Sequence, residues 1–178
     1  MRGVFLSLAL SVAPLAALAV GFNDDDPPTP TETTTTCTKG QIWDADAKSC
    51  VEPDKSSLND TDRMNAVREL AYAGRLSEAA RVLDAVTDQG ADAVLTYRGF
   101  IARKSGQSDA AFAWYKRALT ANPDTLLARS YLGQWYVETG NITLARAELS
   151  EIRHRGGRST WPEVSLRMAI QSGAGYSY

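Results

Sequence analysis

The chain has 178 residues, of which 19 are basic and 21 acidic, with a single histidine and two cysteines. So few imidazoles and thiols argue against a zinc or haem site, and we expect no metal and no cofactor. Residues 37–178 contain 18 basic and 17 acidic residues, so the overall charge gives no reason to expect binding to nucleic acid or to an anionic membrane. This part of the chain is long enough for one compact domain.

Residues 1–19 are predicted to be a secretory signal peptide. Arg2 is the only charge in this apolar stretch, and Ala17 and Ala19 are the small residues expected before a cut after Ala19. A cut after Gly21 is the second choice. An uncleaved membrane anchor is the other alternative, but Pro14 interrupts a run that is near the lower length limit for spanning a bilayer. Cleavage predicts a periplasmic or secreted chain without an integral membrane segment.

Residues 20–36 are predicted to be a disordered linker. They contain an acidic cluster, three prolines and a run of threonines. Such a segment cannot bury enough apolar surface to offset the entropy lost on ordering it. Because the prolines favour extended backbone, we expect a semi-stiff tether.

Residues 37–52 are predicted to form a small loop closed by a Cys37–Cys50 disulfide. Two cysteines 13 positions apart in an exported chain should pair, and no third cysteine competes. Chain-entropy reasoning gives such a cross-link about 3 kcal/mol. Ile42 and Trp43 are almost the only core-forming residues of the loop.

The sequence allows two interpretations of Trp43. The loop, with Cys37, Gly40, Trp43, Asp44 and Cys50, loosely resembles single-disulfide loops of extracellular modules, some of which bind carbohydrate. One interpretation makes Trp43 a residue that stacks on a sugar or a peptide. The other makes it a plug that fills the loop and packs it on the following domain.

From Asn59 onward the sequence is alanine-rich, has a helical period and contains an internal repeat. Gly74, Gly106 and Gly140 are separated by 32 and 34 residues, and each is expected to end the first helix of a pair in a left-handed conformation. The positions five and nine residues after each glycine are also equivalent: Ala79, Ala111 and Ala145, then Leu83, Tyr115 and Leu149.

This pattern resembles the tetratricopeptide repeat. Residues 92–125 match it best, residues 126–159 keep part of it, and residues 60–91 are degenerate. The matching positions of the best unit are Gly99, Gly106, Ala111, Tyr115, Ala118 and Pro123. The resemblance implies an all-α fold, an α-α superhelix of three helix pairs over residues 59–172.

A C-terminal helix is expected to cap this superhelix. Thr160 to Glu163 have the pattern of a capping box with proline in the first turn, and the helix should end near Ser172. Stacked repeats need such a terminal element to cover their last exposed face. Residues 173–178 are predicted to be a flexible tail.

The resemblance also implies a concave groove that binds an extended peptide or a partner's helix. Residues mapped onto its inner face are Arg68, Tyr97, Phe100, Arg103, Lys104, Tyr131 and Gln134. An aromatic strip edged by cations would suit an apolar segment with an acidic group. The alternative is that these aromatic residues pack against the N-terminal segment or the Trp43 loop and bind nothing external.

No nucleophile stands beside a plausible base, and no phosphate-binding loop is present, so we expect no catalytic residues. The main hypothesis is a non-catalytic exported adaptor or scaffold with a protein or peptide partner. The alternative is a cell-wall or carbohydrate-binding protein that uses the Cys37–Cys50 loop, with the repeats as a spacer. A basic group, Arg153, His154, Arg155 and Arg158, could hold an anion, but basic residues at a helix C-terminus also have a structural reason.

Overall fold

The computed structural model describes residues 27–175. The predicted signal peptide and the last three residues of the predicted tail lie outside this range. The described part contains the following elements: α1 Glu32–Thr35, β1 Ile42–Asp44, β2 Ser49–Val51, α2 Asp60–Tyr72, α3 Leu76–Asp84, α4 Asp92–Lys104, α5 Ser108–Ala121, α6 Leu126–Glu138, α7 Ile142–His154 and α8 Trp161–Ser172. The fold is mostly helical, as predicted. Within residues 27–175, every helix is too short or too polar to cross a membrane.

The six helices α2 to α7 pack as three consecutive pairs, α2 with α3, α4 with α5 and α6 with α7. The first two pairs contact each other through α2 and α3 on α4, the last two through α4 and α5 on α6, and α8 packs on both α6 and α7. Three residues separate the two helices of every pair. The chain is therefore a short stack of similar helical hairpins, closed by one further helix.

The turns inside the three pairs have the same backbone geometry. Gly74, Gly106 and Gly140 have φ values of +75°, +77° and +79°. The residue after each glycine donates its N–H to a carbonyl five positions earlier, as from Arg75 to Leu70 at 2.9 Å. This is the glycine-terminated helix end expected from the sequence.

Small residues in the first helices allow close packing between elements. A Cβ atom on Gly99 would lie 2.4 Å from the ring of Tyr115, which is fully buried. A Cβ atom on Gly133 would lie 2.6 Å from the side chain of Leu166 in α8. Glycine is therefore needed at both positions for space and not for backbone conformation.

The beginning of α8 differs from its prediction. Thr160 is the N-cap residue and proline occupies the first turn, but the Thr160 side chain caps no backbone N–H. Its hydroxyl donates instead to the Gly157 carbonyl at 2.7 Å. Glu163, the other half of the expected box, accepts from Arg153 at 2.6 Å. The tertiary ion pair replaces the local capping interaction.

The predicted linker needs correction over its last residues, because Thr31 to Thr36 are ordered against α2. The buried carboxylate of Glu69 accepts hydrogen bonds from the backbone N–H and the hydroxyl of Thr31, at 2.5 and 2.7 Å. It also accepts from the backbone N–H of Thr34 at 3.2 Å. Arg75 donates to the carbonyl of Thr34 at 3.0 Å. These charge-assisted bonds give a polar threonine run partners that its composition does not reveal.

The predicted disulfide is present and closes a β-hairpin. Cys37 and Cys50 are bonded with their Cα atoms 5.6 Å apart, and β1 pairs antiparallel with β2 so that Trp43 faces Cys50. Ile42 is 3% exposed and belongs to the main hydrophobic core. The backbone N–H of Gly40 donates to Glu78 of α3 at 2.5 Å. The hairpin therefore packs on the first helix pair.

Acid should release this hairpin before it unfolds the helices. The pKa of Glu78 lies below its usual 4.5, because Arg75 and the Gly40 N–H donate to its carboxylate. A lowered carboxyl pKa means that the interaction stabilises the fold above the unfolded-state value and is lost as pH falls below it. We expect the protection factors of residues 37–52, which correct for the slower intrinsic exchange in acid, to fall as pH drops from 4.5 through the lower folded-state pKa of Glu78, while residues 92–154 stay protected.

Glu78→Gln is the matched variant, since the amide keeps the shape of the side chain but does not titrate. Its hairpin should exchange faster at neutral pH and show a weaker response to acid. An equal acid response in both proteins would contradict the role of Glu78.

Candidate functional site

Five aromatic side chains from four helices lie together in one group, called here the aromatic cluster: Tyr72 of α2, Tyr97 and Phe100 of α4, Tyr131 of α6 and Trp161 of α8. Tyr72 stacks on Phe100 with ring centroids 5.4 Å apart, and Phe100 lies 4.9 Å from Tyr131. Tyr97 meets Tyr131 edge to face at 6.3 Å. Such geometries are favourable for aromatic rings beyond the area they bury.

Hydrogen bonds within the aromatic cluster connect α2 with α6 and with α8. The hydroxyls of Tyr72 and Tyr131 are 2.5 Å apart. The indole N–H of Trp161 donates to the hydroxyl of Tyr72 at 3.1 Å, across 89 positions of sequence. These bonds hold α2, α6 and α8 together through the side chain of Tyr72.

The structure places most of the predicted groove residues inside the protein. Five of the seven are buried, with exposed fractions between 0% and 7%: Tyr97, Phe100, Arg103, Tyr131 and Gln134. Arg68 and Lys104 are half-buried at the edge of the cluster. Instead of forming the open aromatic strip expected from the sequence, the rings of Tyr97, Phe100 and Tyr131 pack on one another.

Arg103 is held by its own chain. Its guanidinium donates to Glu138 at 2.8 Å and to Gln134 at 3.2 Å, and it lies 5.7 Å from the centre of the Phe100 ring. The fully buried hydroxyl of Tyr115 is near this charge but does not form a hydrogen bond with it, and burial raises the pKa of Tyr115. The carboxylate of Glu138 therefore already balances the charge of Arg103. An arginine that binds a ligand in a groove would keep this charge for the ligand.

A buried polar network extends from Gln134 to α8. The hydroxyls of Ser130 and Ser165 are 3.0 Å apart, and the Gln134 amide donates to Ser165 at 3.4 Å. Ser130, Ser165 and Glu138 were not predicted from the sequence as members of this site. Ser130, Gln134 and Glu138 are spaced by four residues, which places them on one face of a helix, so this spacing is the signal that could have found two of them.

At the α2 end, the aromatic cluster reaches the surface beside a cavity. Tyr72 is half-buried and lines a cavity of about 260 Å³. The other lining residues are Pro28, Pro30, Thr34, Glu69 and Ala73. The ring of Tyr72 and the two prolines make this an apolar opening.

A second cavity lies between the β-hairpin and α2. It has a volume of about 280 Å³ and is lined by the half-buried Trp43, with Asp46, Asp62 and Asn65 among its polar residues. Asp44 at its wall is already occupied, since it accepts from the Ser57 hydroxyl at 2.7 Å. Ile42 is the buried residue of β1, whereas Trp43 is half-buried beside this cavity.

Within residues 27–175, no group of three or more histidine, cysteine, aspartate or glutamate side chains could hold a metal ion. Compared with protein-family models, with curated proteins and with solved structures, the chain gives no match. Function is therefore inferred from the chemistry of these surfaces.

Proposed function

We propose that the protein is a non-catalytic adaptor of the tetratricopeptide type that acts in the periplasm or outside the cell. Its partner is an extended protein segment that binds along the edge of the aromatic cluster. The observation that carries this proposal is the position of Tyr72, which is half-buried beside the apolar cavity of about 260 Å³. The helix pairs with equivalent glycine turns support the assignment to this repeat type.

The edge of the cluster combines apolar and cationic groups. Arg68 lies one helical turn before Tyr72 on α2, and Lys104 lies one turn after Phe100 on α4. Partial burial and the neighbouring Arg103 charge lower the pKa of Lys104. An acidic side chain from a partner would favour the charged form of Lys104 and gain strength from it. We therefore expect a segment with an apolar residue for the cavity and an acidic residue nearby.

The test is a charge reversal at the edge, Arg68→Glu with Lys104→Glu. A photoreactive amino acid at position 104 first identifies the partner by cross-linking in intact cells. The affinity of the purified pair is then measured for wild type and variant. Loss of two charge-assisted hydrogen bonds should weaken binding by at least about tenfold.

Lys116→Glu with Arg117→Glu is the matched control, because both residues are exposed on α5, away from the aromatic cluster. It changes the net charge by the same amount and should bind normally. Equal affinity of the edge variant and the control would overturn the proposal.

The cavity beside Trp43 supports a second candidate function, binding of a carbohydrate chain. A half-buried indole at a cavity wall, with aspartate and asparagine side chains around it, is a suitable surface for stacking on and hydrogen bonding to a sugar. Trp43→Ala should then abolish sedimentation of the protein with cell-wall polysaccharide, whereas Trp114→Ala on α5 should not. Retained sedimentation of Trp43→Ala would reject this function.

A further inference from the structure

The surface between α7 and α8 carries a basic pocket that neither proposed function uses. Its volume is about 500 Å³. Four arginines and the single histidine of the chain line it: Arg146, Arg153, His154, Arg158 and Arg167. We call it the arginine pocket.

The pocket is assembled by helix periodicity and packing, not by one basic stretch of sequence. Arg146, Arg153 and His154 are spaced by seven and eight positions, so they share one face of α7. Arg167 comes from α8, which packs against α7. Arg158 lies in the turn between α7 and α8.

The attraction of cations to a helix C-terminus does not explain this arrangement. Arg146 lies two turns before the end of α7, and Arg167 belongs to another helix. The macrodipole acts only within the last turn of a helix. Arg155, which the sequence grouped with these residues, is not in the pocket and pairs with Asp124 and Glu151.

The positive charge of the pocket is only partly balanced by the protein. Glu163 lies 2.6 Å from Arg153 and 3.7 Å from Arg167, and its carboxylate is buried. In the described part of the chain, Arg146, His154 and Arg158 form no ion pair. Two guanidinium groups and an imidazole therefore remain for a ligand.

We propose that the arginine pocket binds a phosphate group, carried either by a small soluble compound or by a lipid headgroup. The planar guanidinium fork matches the oxygen atoms of phosphate, and four guanidinium groups line this pocket. The pocket has the size of a small-molecule site and not of a single ion. Leu149 and Ile170 line it as well, so it can also contact an apolar part of the ligand.

Isothermal titration calorimetry with pyrophosphate tests this proposal on the purified chain. Arg146→Gln with Arg158→Gln should raise the dissociation constant by about tenfold or more, because two charge-assisted contacts are lost. The matched control is Arg117→Gln with Arg155→Gln, which removes the same charge outside the pocket. It should bind like the wild type, and an equal loss in both variants would overturn the proposal.

Vesicles separate the two sources of phosphate. Binding to phosphatidylglycerol vesicles but not to pyrophosphate or to pure phosphatidylcholine vesicles would assign the pocket to a lipid headgroup. Binding to pyrophosphate would assign it to a soluble compound. Binding to neither would overturn the proposal, as would tighter binding to poly-glutamate, which would indicate an acidic protein partner.

Discussion

Replacing Tyr131 by alanine is expected to lower the free energy of unfolding by about 3–5 kcal/mol, as for other large aromatic side chains in cores. Tyr131 is 1% exposed and contacts the rings of Tyr97, Phe100 and Tyr115. Its hydroxyl also pairs with that of Tyr72. Truncation would leave a cavity where three inner helices meet, and a tightly packed interior cannot fill it by small shifts.

Urea denaturation followed by circular dichroism measures this loss. Tyr136→Ala on the same helix is the control, because Tyr136 is only half-buried and should lose clearly less. Equal midpoints for the two variants would contradict the central position of Tyr131. From the sequence one would expect Tyr97→Ala with Tyr131→Ala to abolish partner capture and keep the helices. Their burial means that this pair would instead weaken the fold, so binding is better tested at Arg68 and Lys104.

Replacing both Cys37 and Cys50 by serine is expected to destabilise the β-hairpin by about 3 kcal/mol. The hairpin is short and depends on the cross-link to keep Ile42 against the first helix pair. Residues of the disulfide loop are bonded to α3 of the first pair, from the Gly40 N–H to Glu78 and from Arg81 to the Lys39 carbonyl. We therefore expect a local effect, with the hairpin released and the later helices still folded.

Hydrogen exchange resolved along the chain can distinguish local from global loss. Residues 42–51 of the serine variant should exchange much faster than those of the wild type, while residues 92–154 should be unchanged. Reduction of the wild-type protein is the control, because it breaks the same bond without a substitution. A matching loss of protection in α4 to α7 would show that the hairpin supports the whole stack.

The repeat could be predicted from the sequence because its signals are local. A glycine that ends a helix in a left-handed conformation needs only its neighbours, and Gly74, Gly106 and Gly140 all adopt it. The interval from Asp92 to Thr125 likewise contains one complete pair, α4 with α5. The disulfide was predictable for a similar reason, since only one pairing of two cysteines exists.

The features that the sequence did not reveal depend on distant partners. The threonines of α1 are ordered by Glu69, more than 30 positions away, and no property of the threonine run indicates this. How deeply the Tyr97 side chain is buried depends on how closely α2, α4 and α6 approach one another. The arginine pocket is lined by residues of two helices, Arg146 of α7 and Arg167 of α8. Only the basic residues near the end of α7 stand together in the sequence, and those were explained by the helix C-terminus.

The contact between Trp161 and Tyr72 changes how this stack should unfold. In most repeat proteins each unit contacts only its neighbours, so unfolding can begin at one end and spread. Here a hydrogen bond joins the last helix to the first inner helix, and the aromatic rings between them are shared by all three pairs. Loss of either end therefore removes contacts from the other. We expect α2 to α8 to melt in one cooperative transition, and an additional helix pair inserted before α8 to break the ring of contacts.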